Sequence, residues 1–211
     1  PDILHSSHSG TVGTFKILRE ARKDSHPSPV PCFLIRHPSV GPILVDTGLH
    51  PSISSDPSKN LGRMGTNFYK PELGPGEDAS SQLRDKGVDP ASVRLVILTH
   101  LHIDHASAIA DFPDSTLIVT AKEWEAATSG AMPFREGYRR EQFDYAFDYR
   151  TVSFDTDDVN SYASFGRTID LFGDGSIRLA STSGHTSGHQ SVIVRLKVRN
   201  RWPTTRSCIA S

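Results

Sequence analysis

The residues best equipped for chemistry stand together in Thr99-His100-Leu101-His102-Ile103-Asp104-His105. Imidazole nitrogens and a carboxylate oxygen are the donors that suit zinc and its first-row neighbours. A second histidine pair lies far downstream, in Thr182-Ser183-Gly184-His185-Thr186-Ser187-Gly188-His189. Gly184 and Gly188 let the backbone turn tightly beside each of these histidines. His100, His102 and His185 would supply three neutral nitrogens and leave a fourth tetrahedral position for water, the open arrangement of a catalytic zinc. Zinc brings the pKa of such a water from about 15.7 to about 7, so hydroxide is available at neutral pH. His189 reads as a hydrogen-bonding histidine more readily than as a ligand. Asp46, in Val45-Asp46-Thr47-Gly48, has two readings. It is a turn or helix cap, or it orients a metal-binding histidine from behind.

The elements that must position these groups follow from periodicity. Arg94 to Leu98 is a short, largely β-branched run that reads as a buried strand ending at the histidine cluster. If the period of two persists through Thr99, His100 and His102 project to one side. Ile43 to Val45 is a second buried strand ending at Asp46, and Ser115 to Thr120 is a third, followed by a short helix over Ala121 to Thr128. Glu77 to Lys86 has helical character and stops at Gly87. Thr168 to Phe172 and Ile177 to Ser181 flank Gly173-Asp174-Gly175-Ser176 as a hairpin, and Val192 to Val198 is a strand. Thr11 to Leu18 and Cys32 to Arg36 are strand candidates. The Pro-rich His26 to Pro31 between them is expected to be a connection, because prolines cannot continue a ladder. Residues 51 to 76, rich in Pro, Ser, Gly and Asn, are expected to form a long surface loop. Its Phe68 and Tyr69 either pack the loop down or cover a pocket. Between Phe134 and Phe165 lie nine of the seventeen aromatic residues. They read as a packed face, or as an aromatic wall or homodimer contact. No periodicity is evident from residue 199 to the end.

Composition narrows the setting. With 211 residues, 36% hydrophobic and 22% charged, the chain has the make-up of a globular protein, and one domain over 1–211 is expected. A formal net charge of -1 gives no global field for nucleic acid or an anionic membrane. No apolar run approaches the roughly 20 residues of a membrane span. The start, Pro1-Asp2-Ile3-Leu4-His5, has no charged-then-apolar secretory pattern. Two cysteines, Cys32 and Cys208, are too few for a disulfide framework, and the cytoplasm is the expected location.

His100-Leu101-His102-Ile103-Asp104-His105 resembles the His-x-His-x-Asp-His signature of the metallo-β-lactamase superfamily. Ser183 to His189 is similar to its downstream Gly-His motif, and Val45 to Gly48 to its early Asp-Thr-Gly strand. The likeness covers about residues 10 to 198 and is nearest to the N-acyl-homoserine lactonase-like branch. It implies an α+β fold, a four-layer αββα sandwich with a dinuclear site at the edge of two sheets. His100, His102 and His185 would bind the first metal, and Asp104 and His105 the second. Asp46 and His189 would stand behind the ligands. Zinc is the implied metal, ideally two per chain, with iron or manganese as other occupants. A metal-bound hydroxide would attack the carbonyl of a small lactone, ester or thioester, and Asp104 could hand a proton to the leaving alkoxide. A glyoxalase II-like thioesterase, another metallo-hydrolase and a non-catalytic binding module of the same fold are the alternatives.

One departure bears on all of this. The family pattern continues with an Asp that bridges both metals and a final His on the second, yet no Asp or Glu follows Asp174 and no His follows His189. The C-terminal strands and helix are therefore expected to be incomplete, the tail atypical, the second metal weakly held and catalysis impaired. A truncation, a shifted frame and a natural short variant each produce this pattern.

Overall fold

The structure is a computed structural model and describes residues 2–9, 28–130, 133–145, 147–197 and 205–210. Six strands form the first sheet in chain order: β1 (Asp2–Ser9), β2 (Ser28–His37), β3 (Gly41–Val45), β4 (Leu95–Ile97), β5 (Thr116–Thr120) and β6 (Tyr149–Val152). β1, β2 and β3 pair antiparallel, and β3 through β6 pair parallel. The second sheet is antiparallel throughout, in the order β11 (Thr205–Ala210), β10 (Gln190–Lys197), β9 (Ile177–Ser181), β8 (Phe165–Asp170), β7 (Asn160–Tyr162).

Parallel strands are covered on both faces, which is why β3, β4 and β5 read as unbroken apolar runs. Alternation then sorts their side chains. Leu34, Leu44, Val96, Leu98, Leu117 and Val119 point to one side, onto Ala79 and Leu83 of helix α2 (Ala79–Asp85) and Ala127 of helix α3 (Ala121–Ser129). Ile35, Ile43, Val45, Ile97 and Ile118 point the other way, onto Ile177, Leu179, Val192 and Val194 of the second sheet. A helical layer and two stacked sheets thus agree with the expected mixed α+β sandwich. An outer helical layer on the second sheet is not found among the described residues.

The helices start where the caps are. Asp78 accepts a hydrogen bond from the Ser81 amide at the head of α2, and Thr120 does the same for Glu123 in α3. Gly87 ends the α2 segment at φ 70°, a conformation that glycine adopts without strain. No described helix is long and apolar enough to cross a membrane.

Three expectations need correction. The 51–76 segment is not a loop throughout, since Pro51–Ser54 is a 3-10 turn and Pro57–Phe68 is helix α1. Asp56 caps its first turn through Ser58, and Pro57 follows at the position where a missing N–H is harmless. α1 breaks at Gly62, which sits at φ 70°, ψ 162°, and Arg139 Nη1 donates to the freed Leu61 carbonyl at 2.8 Å. Second, Pro29 and Pro31 lie inside β2, opposite His8 and His5 of β1. The ladder with β3 reaches only Phe33–His37, so on that side the two prolines withhold no N–H that a partner needs. Third, the stretch after residue 199 contains β11, paired with β10 from Lys197↔Thr205 to Val192↔Ala210. Its β-branched and apolar Ile209-Ala210 end suffices once a strand is available to pair with. The Thr11 to Leu18 candidate lies outside the described residues.

The aromatic segment divides. Phe143 is a core residue. Tyr149 on edge strand β6 stacks on Trp124 of α3, with ring centroids 4.2 Å apart and planes 22° off parallel. Both are packing roles, although Tyr145 and Tyr149 stay 41% exposed, more than a core face would.

Candidate metal centre

β3, β4 and β9 end at the same edge of the sandwich, and the groups singled out in the sequence lie just past those ends. Past Ile97 the chain runs on alongside β5 for one more residue, with the Leu98 amide bonded to the Ile118 carbonyl at 2.9 Å. His100 and His102 emerge on one side, their ring centroids 4.6 Å apart. His185 arrives from the second sheet, 4.8 Å from the His100 ring and 4.7 Å from the His102 ring. One nitrogen from each of the three lies within 4.8 Å of the others.

The remaining atoms of these rings are largely spoken for. His100 Nδ1 is 3.0 Å from Thr99 Oγ1, and Thr99 Oγ1 donates to Asp46 Oδ2 at 2.8 Å. The His102 ring lies 5.1 Å from the Tyr138 ring and is backed by Gly137. A Cβ at Gly137 would stand 2.9 Å from His102 Cδ2. His100 Nε2, His102 Nδ1 and Asp104 Oδ1 are buried with no hydrogen-bond partner. Unpaired buried polar atoms are costly, and the two imidazole nitrogens, in a trio whose nitrogens converge, fit a divalent metal better than they fit an apo core.

Electrostatics keep His100 and His102 neutral. Burial, then the neighbouring His105, His102, His185 and His189, press the His100 imidazole far below its ordinary range. Burial and His185 bring His102 down to about 4, against a smaller upward pull from Asp104. A metal at this place therefore displaces no proton from either ring at neutral pH.

His105 behaves oppositely. Burial alone would lower it, but the Asp46 and Asp104 carboxylates raise it to about 9. Its Nδ1 is 3.0 Å from Asp46 Oδ2 and its Nε2 is 3.9 Å from Asp104 Oδ2. Asp46 is buried, at φ 58°, an uncommon conformation in which Asp is among the tolerated residues. It accepts from the Thr99 amide at 2.7 Å, so its carboxylate ties the chain after β4 to His105 and caps no turn of its own. Asp104 and His105 flank the trio without joining it. His189 stands behind it, half-buried, with Nδ1 2.9 Å from Thr182 Oγ1.

Several residues of the site carry no signal in the sequence. Gln190, fully buried, joins the two histidine loops, since its amide donates to the Thr99 carbonyl at 3.0 Å and its side chain to the Leu98 carbonyl at 2.8 Å. Glu123, also fully buried, accepts from the Leu101 amide at 2.9 Å and from Thr186 Oγ1 at 2.6 Å. The Thr120-x-x-Glu123 spacing is that of a capping box, which explains the helix start but conceals where the carboxylate goes.

A two-sheet sandwich with histidines from both sheets converging at one edge defines a metal-binding α+β protein. The pattern of the Metallo-beta-lactamase superfamily matches residues 26–197, and the chain belongs to that superfamily. It is 36% identical over 169 residues to the N-acyl homoserine lactonase AttM of Azorhizobium caulinodans, covering 80% of this chain and 60% of that protein. With a probable metallo-hydrolase of Mycobacterium tuberculosis it shares 33% over 165 residues, 77% of this chain and 51% of the other. The chain thus spans about 60% of the length of the lactonases it matches. A solved N-acyl homoserine lactone hydrolase, holding the product N-hexanoyl-L-homoserine at its catalytic metal center, superposes with a TM-score of 0.66. The superposition covers 91% of this chain and 68% of that one at 22% identity, and so shows a common fold.

Proposed function

We propose that this chain acts as a metal-dependent hydrolase that opens the ring of an N-acyl-homoserine lactone. The observation that carries the reading is the convergence of His100, His102 and His185, with the buried His100 Nε2 and His102 Nδ1 left without partners. The likeness to AttM supports the choice of lactone.

His100, His102 and His185 hold the metal, with zinc the occupant that such a donor set suits. When bound, the metal acidifies a coordinated water and polarises a carbonyl oxygen. The residues around it do the rest. Asp104, with one buried oxygen lacking a partner, would take the proton that the attacking water gives up and return it to the alkoxide oxygen as the ring C–O bond breaks. Asp46 holds His105 in place, and Thr99 fixes the His100 ring so that Nε2 is the inward atom. Beside Asp104 lies Tyr69, whose hydroxyl is pushed up by burial and then by the Asp104 carboxylate, and so stays protonated. Tyr69 packs with Leu49, Ile53, Leu61, Leu73 and Ile103, and its ring meets Phe134 edge-on at 6.1 Å.

The test is lactone ring opening followed by proton release, with a thioester assayed in parallel and His102→Ala as control. Activity on the lactone that His102→Ala removes is the expected result. Activity indifferent to that substitution would sink the metal mechanism. Activity on the thioester alone would replace the lactonase reading by the thioesterase one.

A further inference from the structure

We propose that Glu123 is a positioning residue for the metal, a strut that fixes the distance between the two histidine loops. The proposal rests on the three-histidine reading above. The carboxylate is fully buried on the first turn of α3, outside the trio, yet it touches both halves of it. Oε1 accepts from the Leu101 amide at 2.9 Å, the residue between His100 and His102. Oε2 accepts from Thr186 Oγ1 at 2.6 Å, the residue next to His185. One rigid group thus spans two loops that belong to different sheets.

The backbone of Glu123 is part of the same joint. A Cβ placed at Gly188 would lie 2.2 Å from the Glu123 nitrogen and 2.5 Å from its Cα, so the His185 loop is seated directly on the helix start. Thr120 Oγ1 closes the contact by donating to the Gly188 carbonyl at 2.7 Å. The Tyr138 ring lies against His102, and its hydroxyl is hydrogen-bonded to Glu123 as well.

A carboxylate with no role in the site would be an unusual choice for such a place, because a buried charge needs its partners to be worth keeping. Its partners here are the Leu101 amide and the Thr186 hydroxyl, each beside a metal ligand, and the hydroxyl of Tyr138, whose ring packs on His102. Such outer contacts set ligand orientation and are worth about 10–100-fold in metal affinity.

The experiment measures zinc affinity by competition with a chromophoric chelator, and the visible spectrum of the cobalt-loaded protein. It uses the parent chain, Glu123→Gln, Glu123→Ala, Thr186→Val and His102→Ala, each checked for folding by circular dichroism. We expect Glu123→Ala and Thr186→Val to weaken zinc binding by about 10–100-fold and to alter the cobalt bands. Glu123→Gln should recover part of the affinity, because its carbonyl still accepts from the Leu101 amide. If Glu123→Ala does not fold, Glu123→Gln and Thr186→Val decide. Parent-like affinity and an unchanged cobalt spectrum in the folded variants would overturn the strut, provided His102→Ala abolishes binding. If His102→Ala binds zinc like the parent, the metal-site reading falls and the strut with it.

Discussion

At the scale of single residues, two opposite treatments of histidine meet in a space of a few ångströms. His100 and His102 are stripped of water and crowded by other imidazoles, so they refuse protons, whereas His105 faces Asp46 and keeps one. The signs give a stability profile for the chelator-treated chain. For His100 and His102 the folded pKa lies below the unfolded value of about 6.5, so the unfolded chain gains protons that the fold rejects as pH falls below that value. Each such proton costs about 1.4 kcal/mol per pH unit. For His105 the folded pKa lies above the unfolded one, so its contribution is whole below about 6.5 and is lost as pH rises through about 9. Urea unfolding of the metal-free chain should therefore show greatest stability near neutrality, falling on both sides. Asp46→Asn should flatten the alkaline limb, and an unchanged limb in that variant would contradict the assigned cause.

At the scale of elements, the parts that were legible in the sequence are those with a local cause. β3, β4 and β5 announce themselves as β-branched runs, and the β8–β9 hairpin by Gly173 to Ser176. The His100 and His185 loops were legible because metal ligation confines residue type and spacing. Other features were hidden because their cause is distant. α1 has weak internal signals, and its Leu61 is buried only by joining Leu49, Ile53 and Ile103. β11 needs β10 beside it before it is a strand. Glu123 looks like a helix-cap residue until the loops that its carboxylate touches are brought to it. The seat of the His185 loop on α3 makes a prediction at this scale. Gly188→Ala places a methyl against backbone atoms that cannot rotate away. It should destabilise the fold by about 1–3 kcal/mol and weaken metal binding, as followed by thermal melts with and without zinc. Parent-like melting in both states would show that the loop has room to move.

For the whole molecule, the question is how much metal it holds. Three imidazoles converge on one position, while Asp104 and His105 are the only further members of the expected ligand set beside it among the described residues. Elemental analysis after dialysis should find one tightly held equivalent per chain, with a second lost on washing. Two tight equivalents would mean that ligands beyond these five take part. Zinc at 100 times its dissociation constant should add about 2.7 kcal/mol to stability.

The trio draws on both sheets: His100 and His102 follow β4, and His185 follows β9. A bound ion is therefore a rivet through the sandwich as well as a reagent. In the loaded chain neither sheet can open its histidine edge without the other. Amide exchange along β4 and β9, free to proceed by separate local openings in the bare protein, then becomes one shared event.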